Sequence, residues 1–393
     1  MKRLLILIVL VLPGCGDREP EQTPNEVIKQ VNANGTITDP QAEILSKIEG
    51  PLYLNGLTSI SDKQAESLNN IRSISLNGLT SITDQQAKSL SKVKGISLQG
   101  ITSISDAQAE SLSKIKHLAL NGLNSITDAQ AESLSKVEGD LYLNGLTSIT
   151  DAQAEMLSKI EGTLYLNGLT SITDAQAESL SRIERLQLSA PCFEQILSYQ
   201  QKILDKINVS GTIDDGQITI LKSYKGGDLV LSGLRTITDN QIDALSEIPS
   251  LNLSGLVSIT DHQVEILSKR NEGGTLELNK LSSLTDRQAK HLGEVKHLEL
   301  NGLTSISDEQ AQSLGEVRSL GLNGLTSITD EQAKFLIKVS SLNGLTTITD
   351  LQAKLIITGP TVKLNSLTVI SDEQAESVSY ASTLQLNGLR SIT

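Results

Sequence analysis

The sequence predicts an α/β solenoid, and three observations carry that reading. A motif of about 22 residues returns along nearly the whole chain after residue 30. Leu141 to Glu155 (Leu-Tyr-Leu-Asn-Gly-Leu-Thr-Ser-Ile-Thr-Asp-Ala-Gln-Ala-Glu) returns almost letter for letter at Leu164 to Glu178. The second observation is that only 2% of the 393 residues are aromatic, while 38% are hydrophobic. Aromatic rings fill the thick middle of ordinary cores, so a thick core is excluded. Third, Leu, Ile and Val recur throughout and charged residues make up only 20%, which excludes a disordered chain. A thin aliphatic core supplied coil by coil satisfies all three.

Each coil can be built in order. Leu141-Tyr142-Leu143 alternates at period two, which is a short strand with both leucines inward and the middle residue outward. Asn144-Gly145 then turns the chain, a place where glycine tolerates positive φ. Leu146 and Ile149 return to the interior. Thr150-Asp151-Ala152-Gln153 has the form of a capping box, with Thr150 at the N-cap and Gln153 reaching back. Asp151 in the first turn and Lys159 in the last complement the helix dipole. A helix of about ten residues follows, with Ala154, Leu157 and Ile160 inward and Gly162 available to end it.

A strand and a small amphipathic helix cannot bury both apolar faces alone. Stacking buries them against neighbouring coils. The leucine that precedes the turn marks the period at Leu54, Leu76, Leu98, Leu120, Leu143, Leu166 and Leu188. It continues from Leu231 to Leu386, with spacings mostly of 22 or 23, one of 20 and one of 25. This pattern resembles the leucine-rich-repeat family, a stack of short parallel strands and short helices with strands on the concave face. The resemblance covers roughly residues 31–393. It departs from the family at Leu146, which stands where an inward asparagine is usual; Asn144, Asn167 and Asn301 fall two positions earlier.

The N-terminus reads as a targeting segment. Lys2 and Arg3 precede an unbroken apolar run from Leu4 to Leu12, too short for a membrane-spanning helix but suited to a secretory signal. Leu12-Pro13-Gly14-Cys15 resembles the bacterial lipobox, which implies that Cys15 becomes the lipidated first residue; the plain alternative is an ordinary signal peptide. Residues 1–14 are then a lipoprotein signal peptide and 15–30 the lipidated cysteine and a polar tether. The resulting expectation is an exported protein, lipid-anchored to a bacterial membrane and facing the periplasm or cell exterior. With Cys15 modified, Cys192, the other of two cysteines, has no disulfide partner.

Two contracted coils, at Val31 to Gln41 and Ile207 to Gln217, suggest a duplicated block. The arrays are then 31–206 and 207–393, read as one continuous solenoid. Between them Ser189-Ala190-Pro191-Cys192-Phe193 replaces the usual turn, and a longer helix through Ile196, Leu197, Ile203 and Leu204 follows.

The formal net charge of −13 argues against nucleic acid as a partner. Asp-x-Gln recurs fifteen times, but its place at helix starts explains it as capping, without acid–base or calcium chemistry. The histidines 117, 262, 291 and 297 lack metal-ligand spacing, and Cys192 beside Phe193 reads as a small buried hydrophobe. No nucleophile elbow, zinc motif, phosphate loop or dinucleotide fingerprint occurs, so no cofactor, metal or catalytic residue is assigned and the protein is read as a non-enzyme. Outward strand positions remain: Tyr53, Ser75, Ser97, Ala119, Tyr142, Tyr165, Gln187, Val230, Asn252, Glu277, Glu299 and Gly321. Adjacent strands put Tyr142 beside Tyr165 and Glu277 beside Glu299. Tyr53, Tyr142, Tyr165, Glu277 and Glu299 are the candidate partner-binding residues. The expected function is a protein- or glycan-binding scaffold working through the sheet face. A structural spacer without a ligand is the rival, favoured by the near-invariance of the repeat, and an enzyme is a remote third.

Overall fold

The computed structural model describes residues 22–393 except 225, 271–273, 357–361 and 382. They form two compact units. One comprises the described residues up to Thr147 together with Leu164–Leu166; the other comprises Ser148–Thr163 and Asn167–Thr393. Cys15 and the signal segment lie outside the described residues.

In the first unit the strands follow one another in sequence order and are parallel. They are β1 (Leu52–Tyr53), β2 (Ser73–Ser75), β3 (Gly95–Ser97), β4 (His117–Ala119), β5 (Leu141–Tyr142) and β6 (Thr163–Leu166, entering this unit at Leu164). The inward register runs Leu52, Ile74, Ile96, Leu118, Leu141, Leu164. The coil beginning at β4 shows the logic. Leu118, Leu120 and Leu123 are fully buried, Ile126 closes the loop, and Ala131 and Leu134 of the helix Asp128–Leu134 face them from the opposite layer. Each such leucine or isoleucine contributes about 1.5–3 kcal/mol on leaving water, and none of these side chains is aromatic.

The second unit repeats the plan. It holds β7 (Arg185–Leu188) and a five-stranded parallel sheet of β8 (Leu229–Val230), β9 (Leu251–Asn252), β10 (Thr275–Glu277), β11 (His297–Glu299) and β12 (Ser319–Gly321). Beyond it, β13 (Val362–Lys363) pairs with β15 (Leu384–Gln385), and β14 (Val369–Ile370) with β16 (Ser391–Ile392). Each unit is thus an α/β solenoid of stacked coils, as the repeat implies. His117 and His297 open strands β4 and β11 rather than preceding them.

The helices are shorter than the sequence suggests. Asp151–Leu157 spans seven residues, capped at Ser158. Its end tightens to i→i+3 bonds, Lys159 N–H donating to Met156 (3.3 Å) and Ile160 N–H to Leu157 (3.2 Å). That tightening turns Ile160 inward directly after the helix, so Lys159 lies beyond the last turn and Gly162 is not needed as a terminator.

The two contracted coils are not strands. Val31–Asn34 ends a helix, Pro24–Asn34, which takes in the last residues read as tether and is opened by a Thr23–Glu26 capping box. Ile207–Ser210 ends the long helix Ala190–Ser210. Both stop at a glycine in the left-handed region, Gly35 at φ 73° and Gly211 at φ 76°, the conformation that helix ends favour glycine for. Both then dock onto the next coil in the same way. Asn32 Nδ2 donates to Tyr53 O (3.0 Å) while its Oδ1 accepts from Gly56 N (2.8 Å). Asn208 does the same with Val230 O (3.0 Å) and Gly233 N (2.8 Å). These helix ends cover the open start of a sheet.

The glycines of the Asn-Gly turns have another purpose than the one expected. After a strand none has positive φ; among the described residues only Gly35, which follows Asn34 at a helix end, Gly211 and Gly227 do. They are instead where one coil's backbone presses on the last. A Cβ at Gly78 would lie 2.5 Å from Asn55 O, and one at Gly100 2.4 Å from Asn77 O.

Two side-chain ladders join the coils. On the helix side, Gln86, Gln108 and Gln130 each accept the N-cap backbone N–H through Oε1. Each Nε2 donates to the carbonyl of Ile60, Ile82 or Ile104 in the preceding coil, at 2.8–2.9 Å. The N-cap hydroxyls donate back as well: Thr83 to Asp62 (2.9 Å), Ser105 to Asp84 (2.8 Å), Thr127 to Asp106 (3.0 Å). The second unit carries the same bonds, for example Gln310 to Leu284 O and Ser307 to Asp286. Every residue type of the Asp-x-Gln repeat therefore has a structural task. On the turn side, an asparagine ladder takes the place of the missing inward asparagine. Asn301 N donates to Asn279 Oδ1 (3.1 Å), and Asn323 N to Asn301 Oδ1 (3.0 Å).

Candidate functional site

The outward row of the first unit reads Tyr53, Ser75, Ser97, Ala119, Tyr142, Tyr165 in strict register. Tyr142 and Tyr165 stack, with ring centroids 4.1 Å apart and planes at 13°. Burial, then the neighbouring Tyr165 hydroxyl, pushes the Tyr142 phenol up to about 12. Tyr53, by contrast, is 59% exposed. Between Tyr53 and Tyr142 the residues in register are all small, which leaves an open depression of about 370 Å³.

The floor and margins are held by hydrogen bonds that continue the asparagine ladder. Ser75 Oγ donates to Asn55 Oδ1 (2.6 Å), and Ser97 Oγ to Asn77 Oδ1 (2.7 Å). Asn77 N and Gln99 N donate to the same two oxygens at 3.4 and 3.1 Å. Gln99 Nε2 reaches Ser97 Oγ (3.2 Å). On the opposite margin His117 Nδ1 lies 3.1 Å from Asp140 Oδ2. Aspartate, glutamate, lysine and arginine are absent from the lining residues. The sequence reading places Ser75, Ser97 and Ala119 outward between the tyrosines but does not read them as the floor of a depression, nor the Asn55 and Asn77 bonds that hold it.

Glu277 and Glu299 lie in register in the second unit, each engaged by amides. Asn252 and Asn279 donate to Glu277 Oε2 at 2.7 and 3.2 Å, and Asn301 donates to Glu299 Oε2 at 2.9 Å. The Glu299 carboxylate lies over Gly321, where a Cβ would approach it to 1.8 Å. Among the described residues, His, Cys, Asp and Glu form no cluster able to hold a metal ion. Burial, followed by the charge of Glu299, raises the Glu277 carboxyl. A folded-state value above the unfolded one makes this contribution full at acid pH and lost as pH rises through the raised value. Glu277→Gln, which keeps an acceptor for both asparagines, is therefore expected to gain a few tenths of a kcal/mol at neutral pH. Denaturation midpoints across pH 4–8 should flatten in the variant; a parallel shift at all pH values would contradict this account.

Cys192 is fully buried, its thiol donating to Leu169 O at 3.4 Å. It packs as the small hydrophobe expected.

No family model matches the chain, and no curated protein matches it either. Solved structures do. An internalin from Listeria monocytogenes str. 4b F2365 is similar at 15% identity over 94% of this chain and 89% of that one, with TM-score 0.28. TLR13, in its complex with ssRNA13, is similar at 18% identity over 86% of this chain, with TM-score 0.37. Drosophila Toll in its complex with Spatzle is similar at 12% identity over 91%, with TM-score 0.34. The chain spans 56% and 48% of those last two chains, about half of each.

Proposed function

We propose that this protein is an exported, lipid-anchored scaffold that binds a protein or glycan on the sheet face of its first unit, and that it is not an enzyme. The observation that carries the reading is the depression bracketed by Tyr53 and the Tyr142–Tyr165 stack. The recurring glutamines and N-cap hydroxyls join coil to coil, whereas these rings make no such bond to the repeat's backbone. Exposed tyrosines supply large contact areas at small entropic cost. The anchor rests on the Leu12-Pro13-Gly14-Cys15 sequence after its apolar run; two or more acyl chains hold a protein stably at a membrane.

Both parts can be tested in one strain set. Cys15→Ser should abolish fatty-acid labelling and release the protein from membranes; retained labelling would refute the anchor. Tyr142→Ala with Tyr165→Ala should lose the envelope material captured by the wild type. If capture is unchanged, or nothing is captured by either, the ligand-free spacer is the better reading.

A further inference from the structure

Resting on that reading of the first-unit sheet face, we infer that its ligand is an uncharged linear oligosaccharide lying across strands β1 to β5. The first argument is the ring spacing. Tyr53 and Tyr142 stand four strands apart, roughly 19 Å at about 4.8 Å per strand, with only Ser75, Ser97 and Ala119 in register between them. Tyr165 covers one face of Tyr142. The residue in register on its other side is Ala119, whose methyl cannot cover a ring. Tyr53 has Ser75 in register on its trough side and the helix end carrying Asn32 on its other side. Tyr53 and Tyr142 therefore both line one trough, at a separation that several linked pyranose rings span. The C–H face of a pyranose is the apolar surface that such rings accept.

The second argument is the polarity of the margin. The Oδ1 atoms of Asn55 and Asn77 are already engaged by a serine hydroxyl and a backbone N–H each. Those bonds fix the amide planes, and neither Nδ2 group has a partner among the described residues. The margin thus offers oriented N–H donors, which suit ligand hydroxyl and ring oxygens. The third argument is charge. In a chain of net charge −13, this trough has no Asp, Glu, Lys or Arg in its lining, and the one titratable margin group, His117, is already paired with Asp140 at 3.1 Å, so no spare charge is provided for a phosphate, a uronate or a charged peptide. A peptide would also need either a deep apolar pocket for an anchoring side chain or a free strand edge. The floor is a shallow sheet face of Ser75, Ser97 and Ala119, with neither.

The test is calorimetric titration of the full-length protein in detergent with cellohexaose and chitohexaose, beside oligogalacturonate and a mixed peptide library as rivals. The variants are Tyr53→Ala, Tyr142→Ala and Asn77→Asp. Asn77→Asp keeps the two accepted hydrogen bonds but removes the Nδ2 donors. Tyr53 makes no side-chain hydrogen bond among the described residues and is largely exposed, so its removal leaves folding intact, as circular dichroism will verify. Binding of a neutral hexasaccharide, weakened at least tenfold by both Tyr53→Ala and Asn77→Asp, is the expected result. Tyr142-dependent binding of peptide or oligogalacturonate, without neutral sugar, would overturn this inference and leave the sheet-face reading standing. Absence of any tyrosine-dependent ligand in the panel would overturn both.

Discussion

Gly122→Ala should be among the most damaging single-methyl changes in the chain, costing about 3 kcal/mol and loosening two adjacent coils. The added Cβ would sit 2.3 Å from Gln99 O and 2.5 Å from Ile101 O. Both are backbone atoms fixed by their own coil, so the conflict cannot be relieved by a rotamer change. Separating the coils enough to admit the methyl would stretch the strand bond from Leu98 N to Ala119 O (2.9 Å) and part the leucines beneath it. Overpacking ordinarily costs about 1–3 kcal/mol, and backbone opposition puts this site at the upper end. Alanine also stiffens the unfolded chain, which returns about 0.4–1 kcal/mol. Gly50→Ala provides the control, because a Cβ there meets nothing within 4 Å; its stability should be unchanged or slightly higher. Stacked coils need not unfold in one step, so the readout should be local. Amide exchange in residues 95–125 should accelerate in Gly122→Ala and stay unchanged in Gly50→Ala. Equal exchange in both would show that close approach is not what the glycine provides.

Gln130→Ala is expected to cost about 2–4 kcal/mol, far more than loss of a helix cap. Gln130 is 6% exposed and works at both ends of its amide. Its Oε1 accepts from Thr127 N (2.9 Å), and its Nε2 donates to Ile104 O (2.8 Å). Truncation leaves a backbone donor and a backbone acceptor unpaired, each costing about 1–3 kcal/mol when water cannot replace the partner. Gln41 isolates the second term. It caps Thr38 at 3.0 Å, but its Nε2 reaches only the exposed Gln30 side chain, so Gln41→Ala should cost about 1 kcal/mol. Chemical denaturation of both variants measures the difference, and equal losses would eliminate the inter-coil bond as a source of stability. Gln130→Glu sharpens the test. The carboxylate can accept from Thr127 but cannot donate to Ile104 O, which repels it. Its carboxyl is therefore raised in the folded state, and the variant should weaken progressively as pH rises through that value.

Much of this architecture was legible because period-two and capping signals are local. Leu118 and Leu120 flank Ala119 as alternation requires, and the Thr150–Gln153 box forms as read. The pairing of Tyr142 with Tyr165 followed from the strand spacing alone. What escaped the sequence is what depends on the neighbouring coil. The Val31 and Ile207 segments imitate a strand and turn, and short apolar runs do not separate strand from helix by periodicity; docking of Asn32 and Asn208 onto the next strand decides it. The Asn-Gly glycines satisfied a familiar turn argument while serving a steric one. Capping accounts for only one end of the glutamine amide, so its bond to the preceding carbonyl could not be seen from the motif. Alternation places Ser75, Ser97 and Ala119 outward correctly, but the depression they leave between the tyrosines depends on the asparagine bonds of neighbouring coils, which no single repeat displays.

The helix ends at Asn34 and Ser210 bear on how the chain acquires its structure in time. An array of near-identical coils has slow nucleation and easy propagation, since the first coil has no neighbour to bury its apolar edge. A helix that presents Val31 and an asparagine clamp to the incoming strand lowers that first barrier, and Ile207 with Asn208 supplies the same surface again. The chain therefore holds two independent seeds, one ahead of the coil that begins at β1 and one ahead of the coil that begins at β8. Growth from the second need not wait for the first to finish.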